Sequence, residues 1–179
     1  PPIGSLTPVP TPPDGRAGID ASLVRELLTE QLPDLADLPI RPVPVDGWDN
    51  RTYRLGDELT VRLPTADGYV PGVAKEDRWL PVLAPHLPVP IPEPVHTGRP
   101  SPRFGRPWSV RRWLPGETAS PDTVPDPVRF AEQVAGFLTA LHAVDATDGP
   151  AAGEHSAFRG CSPAHYDADT RGFLDRLDG

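Results

Sequence analysis

The sequence predicts an α+β fold in which an antiparallel sheet carries one helix between its strands. Three short runs with strand character lie between residues 40 and 63. A helical pattern follows at 71–84, and a further strand-like run at 108–114 precedes a long helical pattern at 126–143. Strands that cluster before and around one helix are typical of this class.

The chain begins with a proline-rich leader. Its 179 residues suffice for one domain, or for one lobe and part of a second. Prolines crowd the first dozen positions, so residues 1–18 are predicted to form a disordered leader with partly polyproline character. Asp20 is the expected N-cap of a first helix at 21–32, which ends before Pro33 and buries Leu23, Leu27 and Leu28.

Three strands are expected next, at residues 40–45, 52–55 and 59–63. Pro42 and Pro44 assign the first of them to a sheet edge, because proline offers no N–H to a neighbouring strand. Residues 46–51 form the first turn, and Gly56 with Asp57 has the spacing of a hairpin turn. The pattern therefore indicates a three-stranded antiparallel meander.

A helix is predicted at residues 71–84, with Pro71 in its first turn and Pro81 at a kink or near its end. Its expected buried side chains are Val73, Trp79, Leu80 and Leu83. A proline-dense connector then leads to a strand near Val95.

The last elements are a strand at 108–114 that ends at Pro115, a helix at 126–143 capped by Asp126, and a short helix at 168–177. This order matches the small lobe of a kinase fold, its hinge and the opening of the large lobe. The expected domain limits are 19–110, 111–118 and 119–179.

Charge and cysteine content restrict the classes of partner. A net charge of −8 and a pI near 5.0 argue against nucleic acid or an anionic membrane as the main partner. No apolar stretch is long enough for a transmembrane helix. Cys161 is the single cysteine, which excludes an intrachain disulfide and fits a cytoplasmic location. The sequence has no methionine and starts at Pro1, so we expect a processed chain or a fragment.

Two places along the predicted sheet could hold phosphate. In the first turn, Gly47 would let backbone N–H groups point at phosphate oxygens, with Asn50 beside it, although both also suit an ordinary hairpin turn. On the third strand, Arg62 supplies a cation that Glu76 in the next helix could brace. The alternatives are a surface arginine, and a Glu76 that pairs locally with Lys75 or Arg78.

The strand that ends at Pro115 could bind a purine base. The backbone of Arg112, Trp113 and Leu114 would offer the donor and acceptor that adenine requires, with their side chains lining the slot. The alternative is an edge strand followed by a plain turn.

Four segments occur in order with small spacings: GWDNRTYRLGDELTVRLP, KEDRWLPVLAPHLPVPIPEPVHTGRP, RPWSVRRWLPGE and AGFLTALHAVD. A weaker segment, FRGCSPAHYDADTRGFLDRL, follows. This succession, over about residues 38–179, resembles the bacterial aminoglycoside phosphotransferase family, whose fold is that of the protein kinases. The resemblance implies ATP binding between two lobes, Mg²⁺, and transfer of the γ-phosphoryl group to a small-molecule hydroxyl. It also implies that Arg62 and Glu76 are the phosphate-binding pair and that adenine meets residues 112–114.

The sequence departs from the family at the catalytic loop, which has the form His-Gly-Asp-x-x-x-x-Asn. Here His165-Tyr166-Asp167 is followed, five residues after the aspartate, by Gly172, and Asn50 is the sole asparagine. We therefore expect that His165-Tyr166-Asp167 is not the catalytic loop, that this loop lies beyond Gly179, and that the chain is an inactive fragment. The alternatives are a non-catalytic nucleotide-binding or interaction module that is complete as written, and a proline-rich scaffold without a nucleotide site.

Overall fold

The computed structural model describes residues 15–153, 156 and 158–177. The chain divides after Val144 into two compact units. The first contains a five-stranded antiparallel sheet with the order β1-β2-β3-β5-β4. The predicted α+β class is confirmed, and the fifth strand is inserted between the third and the fourth.

The first three strands are β1 (Ile40–Pro42), β2 (Asn50–Leu55) and β3 (Leu59–Pro64). They pair in sequence order as an antiparallel meander, and β1 lies at the sheet edge, as predicted. β1 is shorter than the predicted 40–45, since Pro42 and Pro44 cannot donate to β2 and only Val43 continues the pairing, through its N–H to the Thr52 carbonyl.

The remaining strands are β4 (Pro94–Gly98) and β5 (Trp108–Arg112). β5 pairs with β3 on one side and with β4 on the other, and the register with β4 is irregular between Pro94 and His96. The strand predicted at 108–114 thus ends at Arg112, two residues early.

The main core lies between one sheet face and helix α1 (Ala21–Gln31). Asp20 caps α1 by accepting a hydrogen bond from the Leu23 N–H at 2.9 Å, as predicted. The helix buries Val24, Leu27 and Leu28, whereas Leu23, which was expected inside, is partly exposed. The sheet side chains of this core are Tyr53, Leu55, Leu59, Val61, Leu63, Trp108 and Val110.

Helix α2 (Val70–Leu83) contacts β4 and buries only Val73 completely. Trp79, Leu80 and Leu83 were predicted to be buried and are only partly so. Pro81 lies in the last turn of the helix. Elsewhere along α2, the contacts with the sheet are made by polar side chains. The periodic apolar residues of the helix therefore predicted more burial than the structure has.

The described part of the predicted leader has a defined conformation. Residues 15–18 form a turn, and Arg16 donates through Nη2 to the Gly47 carbonyl at 2.5 Å. Gly15 lies against the Thr65 backbone so closely that a β-carbon would overlap it. Residues 1–14 of the predicted leader lie outside the described residues.

Helix α3 (Pro127–Ala143) ends the first unit, and Asp126 caps it through the Arg129 N–H at 3.0 Å, as predicted. The second unit contains helix α4 (Asp167–Leu177), close to the predicted 168–177. Among the described residues, every helix falls short of what crossing a lipid bilayer would require.

Candidate functional site

The sheet face opposite α1 carries charge at its centre. Side chains alternate between the two faces of a strand, so Leu59, Val61 and Leu63 enter the α1 core while Arg62 points to the other side. On β5, Trp108 and Val110 alternate with Ser109 and Arg111 in the same way, and Ser109 lies directly opposite Arg62. Two guanidinium groups thus occupy adjacent central strands on one face.

Arg62 and Glu76 form the contact that the sequence predicted. The Arg62 Nη1 donates to the Glu76 Oε2 at 2.7 Å and joins β3 to α2. Both side chains are partly exposed, at 28% for Arg62 and 35% for Glu76, so the pair is accessible from solvent. In the described residues, Glu76 pairs with neither Lys75 nor Arg78, and the local alternative is not formed.

Arg111 is a member of this cluster that the sequence analysis missed. Its Nη2 lies 3.0 Å from the Glu76 Oε2 and 3.3 Å from the Asp77 Oδ1, and its Nε donates to the Ser109 Oγ at 3.2 Å. The side chain is 1% exposed. Burial lowers the pKa of the Arg111 guanidinium, while the Glu76 carboxylate raises it; the group remains protonated at neutral pH.

Asp77 extends the cluster to the edge of the sheet. It accepts a hydrogen bond from the Thr97 hydroxyl on β4 as well as from Arg111 on β5. Consecutive carboxylates of α2 therefore attach the helix to β3, β5 and β4. Arg111 lies two residues after Ser109, so its side chain is on the sheet face that carries Arg62. This spacing was the sequence signal by which Arg111 could have been assigned to the cluster.

The turn between β1 and β2 is organised by Asp46. Its carboxylate accepts hydrogen bonds from the Gly47 N–H at 3.1 Å and the Thr52 N–H at 2.9 Å, and from the Arg51 Nη1 at 3.0 Å. The Gly47 N–H therefore already has a partner, and a phosphate bound at this turn would need its other N–H groups. A β-carbon at Gly47 would contact only the Asn50 carbonyl, at 3.9 Å, so its packing does not require glycine. Asn50 begins β2 opposite Pro64.

Replacing Asp46 with alanine is expected to destabilise the chain by about 1–3 kcal/mol, because it removes the common acceptor of these bonds in a largely buried position. The free energy of unfolding in urea measures the effect. Asp57→Ala is the matched control, since the Asp57 carboxylate makes an ion pair with Arg41 on the surface and its loss should cost at most about 1 kcal/mol. Equal losses from both variants would contradict the assigned role of Asp46.

The predicted purine-binding backbone retains one free donor. The Arg112 N–H donates to the Glu93 carbonyl at 2.9 Å and the Trp113 N–H to the Glu58 carbonyl at 2.7 Å. These two amides therefore already have partners, and the donor for adenine that the sequence predicts at residues 112–114 would have to be the remaining N–H. In the described part of the chain, the Leu114 N–H has no hydrogen-bond partner.

Trp113 lies next to this donor and is packed against Arg54 of β2. The Arg54 guanidinium carbon is 4.1 Å from the centre of the Trp113 ring, and its Nη2 donates to the Asp57 carbonyl at 2.7 Å. Stacking on a guanidinium restricts the orientation of the indole. Arg54 pairs with Thr60 across the strands, so it shares the face that carries Arg62.

His165-Tyr166-Asp167 lies in the second unit. The His165 ring stacks on Phe158 at 4.1 Å, and Asp167 begins α4 and pairs with Arg171 at 2.7 Å. Within the described ranges, no group of three or more His, Cys, Asp or Glu side chains is arranged to hold a metal ion.

A five-stranded antiparallel sheet, with a helix after β3 whose carboxylate pairs with a β3 cation, is the arrangement of a kinase small lobe. The model of the phosphotransferase enzyme family (APH) matches residues 39–177, well over half of the sequence. The chain belongs to this family. A comparison with curated protein sequences finds no significant match.

Solved structures of aminoglycoside phosphotransferases share the fold. The GDP and kanamycin complex of APH(2")-IIia is 25% identical, with a TM-score of 0.60 over 68% of this chain and 42% of that one. The GDP complex of wild-type aminoglycoside 2'-phosphotransferase-IIIa gives 25% and 0.61 over the same shares. The streptomycin-ATP-APH(2")-IIa ternary complex gives 19% and 0.53 over 70% and 40%, a likeness of fold alone. The chain spans about two fifths of the length of these proteins.

Proposed function

We propose that this chain is the nucleotide-binding part of a phosphotransferase that moves the γ-phosphoryl group of ATP to a hydroxyl group of a small molecule. The observation that supports the proposal most directly is the 2.7 Å ion pair between Arg62 and Glu76, on the strand and the helix where a kinase fold needs its phosphate-binding cation. Such an enzyme would work in the cytoplasm, where ATP is available.

Arginine suits this position for a geometric reason. A guanidinium is planar and presents donors on more than one edge, so it can hold a carboxylate with one edge and a phosphate oxygen with another. The recorded contact of Arg62 with Glu76 runs through Nη1. The 28% of the side chain that remains exposed provides room for the second contact.

The purine would lie against the end of β5. The free Leu114 N–H would donate to a ring nitrogen of the base, and the oriented indole of Trp113 would provide apolar contact. Of the residues predicted from the sequence, Arg62, Glu76, Trp113 and Leu114 remain candidates for direct or supporting contacts. The N–H groups of Gly47 and Arg112 have partners within the protein, so these two residues would contact the nucleotide through other atoms. Asn50 remains a candidate at the start of β2.

Transfer of the phosphoryl group requires residues other than those that bind the nucleotide. In this family an aspartate orients the acceptor hydroxyl and an asparagine helps to hold Mg²⁺, and the single asparagine here is Asn50 at the start of β2. Within the described residues, no three or more His, Cys, Asp or Glu side chains are grouped so that they could hold a metal ion by themselves. We therefore propose that these 179 residues alone bind nucleotide without transferring its phosphoryl group.

Calorimetric titration of the 179-residue chain with ATP and with adenosine tests the proposal. ATP should bind more tightly by about tenfold or more, since one charge-assisted contact to phosphate contributes about 1.5–3 kcal/mol. Equal affinities, or no binding of either compound, would overturn it. A phosphoryl-transfer assay with ATP and kanamycin or streptomycin should show no product above background, and measurable turnover would overturn the second part.

A further inference from the structure

We propose that Arg111 is a positioning residue for the phosphate-binding cation: it holds Glu76 in place and remains its partner when Arg62 turns towards a phosphate. This inference deepens the proposed function and rests on it. It assigns a role to a residue on the neighbouring strand, outside the β3–α2 ion pair itself.

The first argument is the sharing of one oxygen. The Glu76 Oε2 lies 2.7 Å from the Arg62 Nη1 and 3.0 Å from the Arg111 Nη2. The Arg62 contact is a charge-assisted hydrogen bond and the Arg111 contact is an ion pair, and one carboxylate oxygen can take both because it has two lone pairs. Glu76 is therefore held from two strands, and neither arginine is its sole partner.

The second argument is the difference in burial between the two arginines. Arg111 is 1% exposed and Arg62 is 28% exposed, so only Arg62 is accessible to a ligand. Arg111 also bonds to Asp77 and Ser109, which fixes its guanidinium on β5. The geometry thus assigns different tasks: Arg111 stays with the carboxylates and Arg62 is free to exchange partners.

The third argument concerns charge. Two guanidinium groups face the carboxylates of Glu76 and Asp77, so the cluster is balanced without a ligand. If Arg62 shifted towards a phosphate and Arg111 were absent, Glu76 would lose its last cationic partner in a partly buried place. That loss opposes the shift. With Arg111 present, Glu76 keeps an ion pair throughout, and Arg62 can engage phosphate at a smaller cost.

Arg111 also retains an unsatisfied donor. Among residues 15–153, 156 and 158–177, its buried Nη1 finds no hydrogen-bond partner, which is unfavourable for a charged group. An apolar side chain would fill this position without that penalty, so the contacts with the two carboxylates are what an arginine adds here. This is consistent with a role in positioning and is poorly explained by packing alone.

The binding test compares Arg111→Met and Arg111→Lys with the unaltered chain. Arg111→Met is expected to weaken ATP binding by about tenfold and adenosine binding by less than about twofold, as for one lost charge-assisted contact. Arg111→Lys should restore part of the ATP affinity, since lysine returns the positive charge but not the planar arrangement of donors of a guanidinium. Arg103→Gln is the matched control, because Arg103 pairs with Glu26 at 2.6 Å beside α1 and should leave both affinities unchanged. Equal weakening of ATP and adenosine by Arg111→Met, or no weakening, would overturn the proposal.

A second measurement needs no nucleotide. Amide hydrogen exchange in α2, residues 70–83, should accelerate in Arg111→Met by about tenfold relative to α1, because the helix loses its attachment to β5. Unchanged exchange would overturn the positioning role even if ATP affinity fell. If Arg111→Met does not fold, Arg111→Lys should show the same ordering with smaller changes, and its failure to do so counts against the proposal. If the unaltered chain binds no ATP, the proposed function fails, and exchange alone decides whether Arg111 positions α2.

Discussion

Replacing Arg62 with glutamine is expected to weaken ATP binding by about 10- to 100-fold and to change adenosine binding by less than about twofold. Glutamine keeps much of the length of the side chain and one hydrogen-bond donor group, but it has no charge for the phosphates. The loss should be confined to the triphosphate because the proposed purine contacts lie at Leu114 and Trp113, beyond the end of β5. Calorimetric titration with both compounds measures it.

Two further variants make the Arg62 test specific. Arg62→Lys restores the charge without the planar fork, so its ATP affinity should lie between those of the unaltered chain and Arg62→Gln. Arg41→Gln removes an exposed arginine paired with Asp57 at 3.0 Å and should have no effect on either compound. A similar fall in ATP affinity for Arg41→Gln would mean that overall charge, and not the site, determines binding. An unaffected Arg62→Gln would remove the main support for the proposed function.

Replacing Gly98 with valine is expected to destabilise the fold by about 3 kcal/mol or more, at or above the upper end of the usual range of roughly 1–3 kcal/mol for overpacking of a well-packed core. Gly98 pairs directly with Trp108 across β4 and β5, and the indole occupies the space where a β-carbon would lie. Trp108 is fully buried and cannot move aside into solvent. Urea denaturation measures the change, and even Gly98→Ala should be clearly destabilising.

The control for Gly98 is another glycine in the loop that joins the same strands. A β-carbon at Gly105 would have no neighbour within 4 Å, so Gly105→Ala should change stability by less than about 1 kcal/mol. The cause can be tested by coupling. If the clash with the indole is responsible, Trp108→Phe should reduce the additional cost of Gly98→Val, because the smaller ring leaves room. Additive effects would contradict this explanation.

Local signals explain which parts of the fold could be predicted. Asp20 and Asp126 mark the beginnings of α1 and α3 because a side-chain acceptor before an apolar periodic run satisfies a free backbone N–H. The hairpin between β2 and β3 follows from Gly56, whose φ of 58° is one that glycine adopts easily. These features depend on neighbours within a few residues, so the sequence contains the information directly.

The features that were missed depend on distant parts of the chain. The Trp113 N–H donates to the Glu58 carbonyl and the Arg112 N–H to the Glu93 carbonyl. Both hydrogen bonds follow from the insertion of β5 between β3 and β4, and no short sequence pattern predicts that insertion.

The candidate site shows the same division. Arg62 and Glu76 could be matched because both positions occur in a known order of elements. Arg111 was not identified from the sequence, because a charged residue in a strand suggests that its side chain is exposed. Its burial is explained by the carboxylates that it contacts, which come from another element. For Arg111, tertiary contacts thus produce burial where the residue type predicts exposure.

The insertion of β5 has a consequence for the order in which the sheet can form during synthesis. β1, β2 and β3 are joined by short turns and can pair as soon as residue 64 has emerged, whereas the free edge of β3 waits for residues 108–112. During that interval an open edge with alternating Leu59, Val61 and Leu63 is available to other chains. Arg62 stands in the middle of this edge, and a charge there discourages intermolecular pairing. The residue proposed to bind phosphate in the finished protein would then also protect the nascent one.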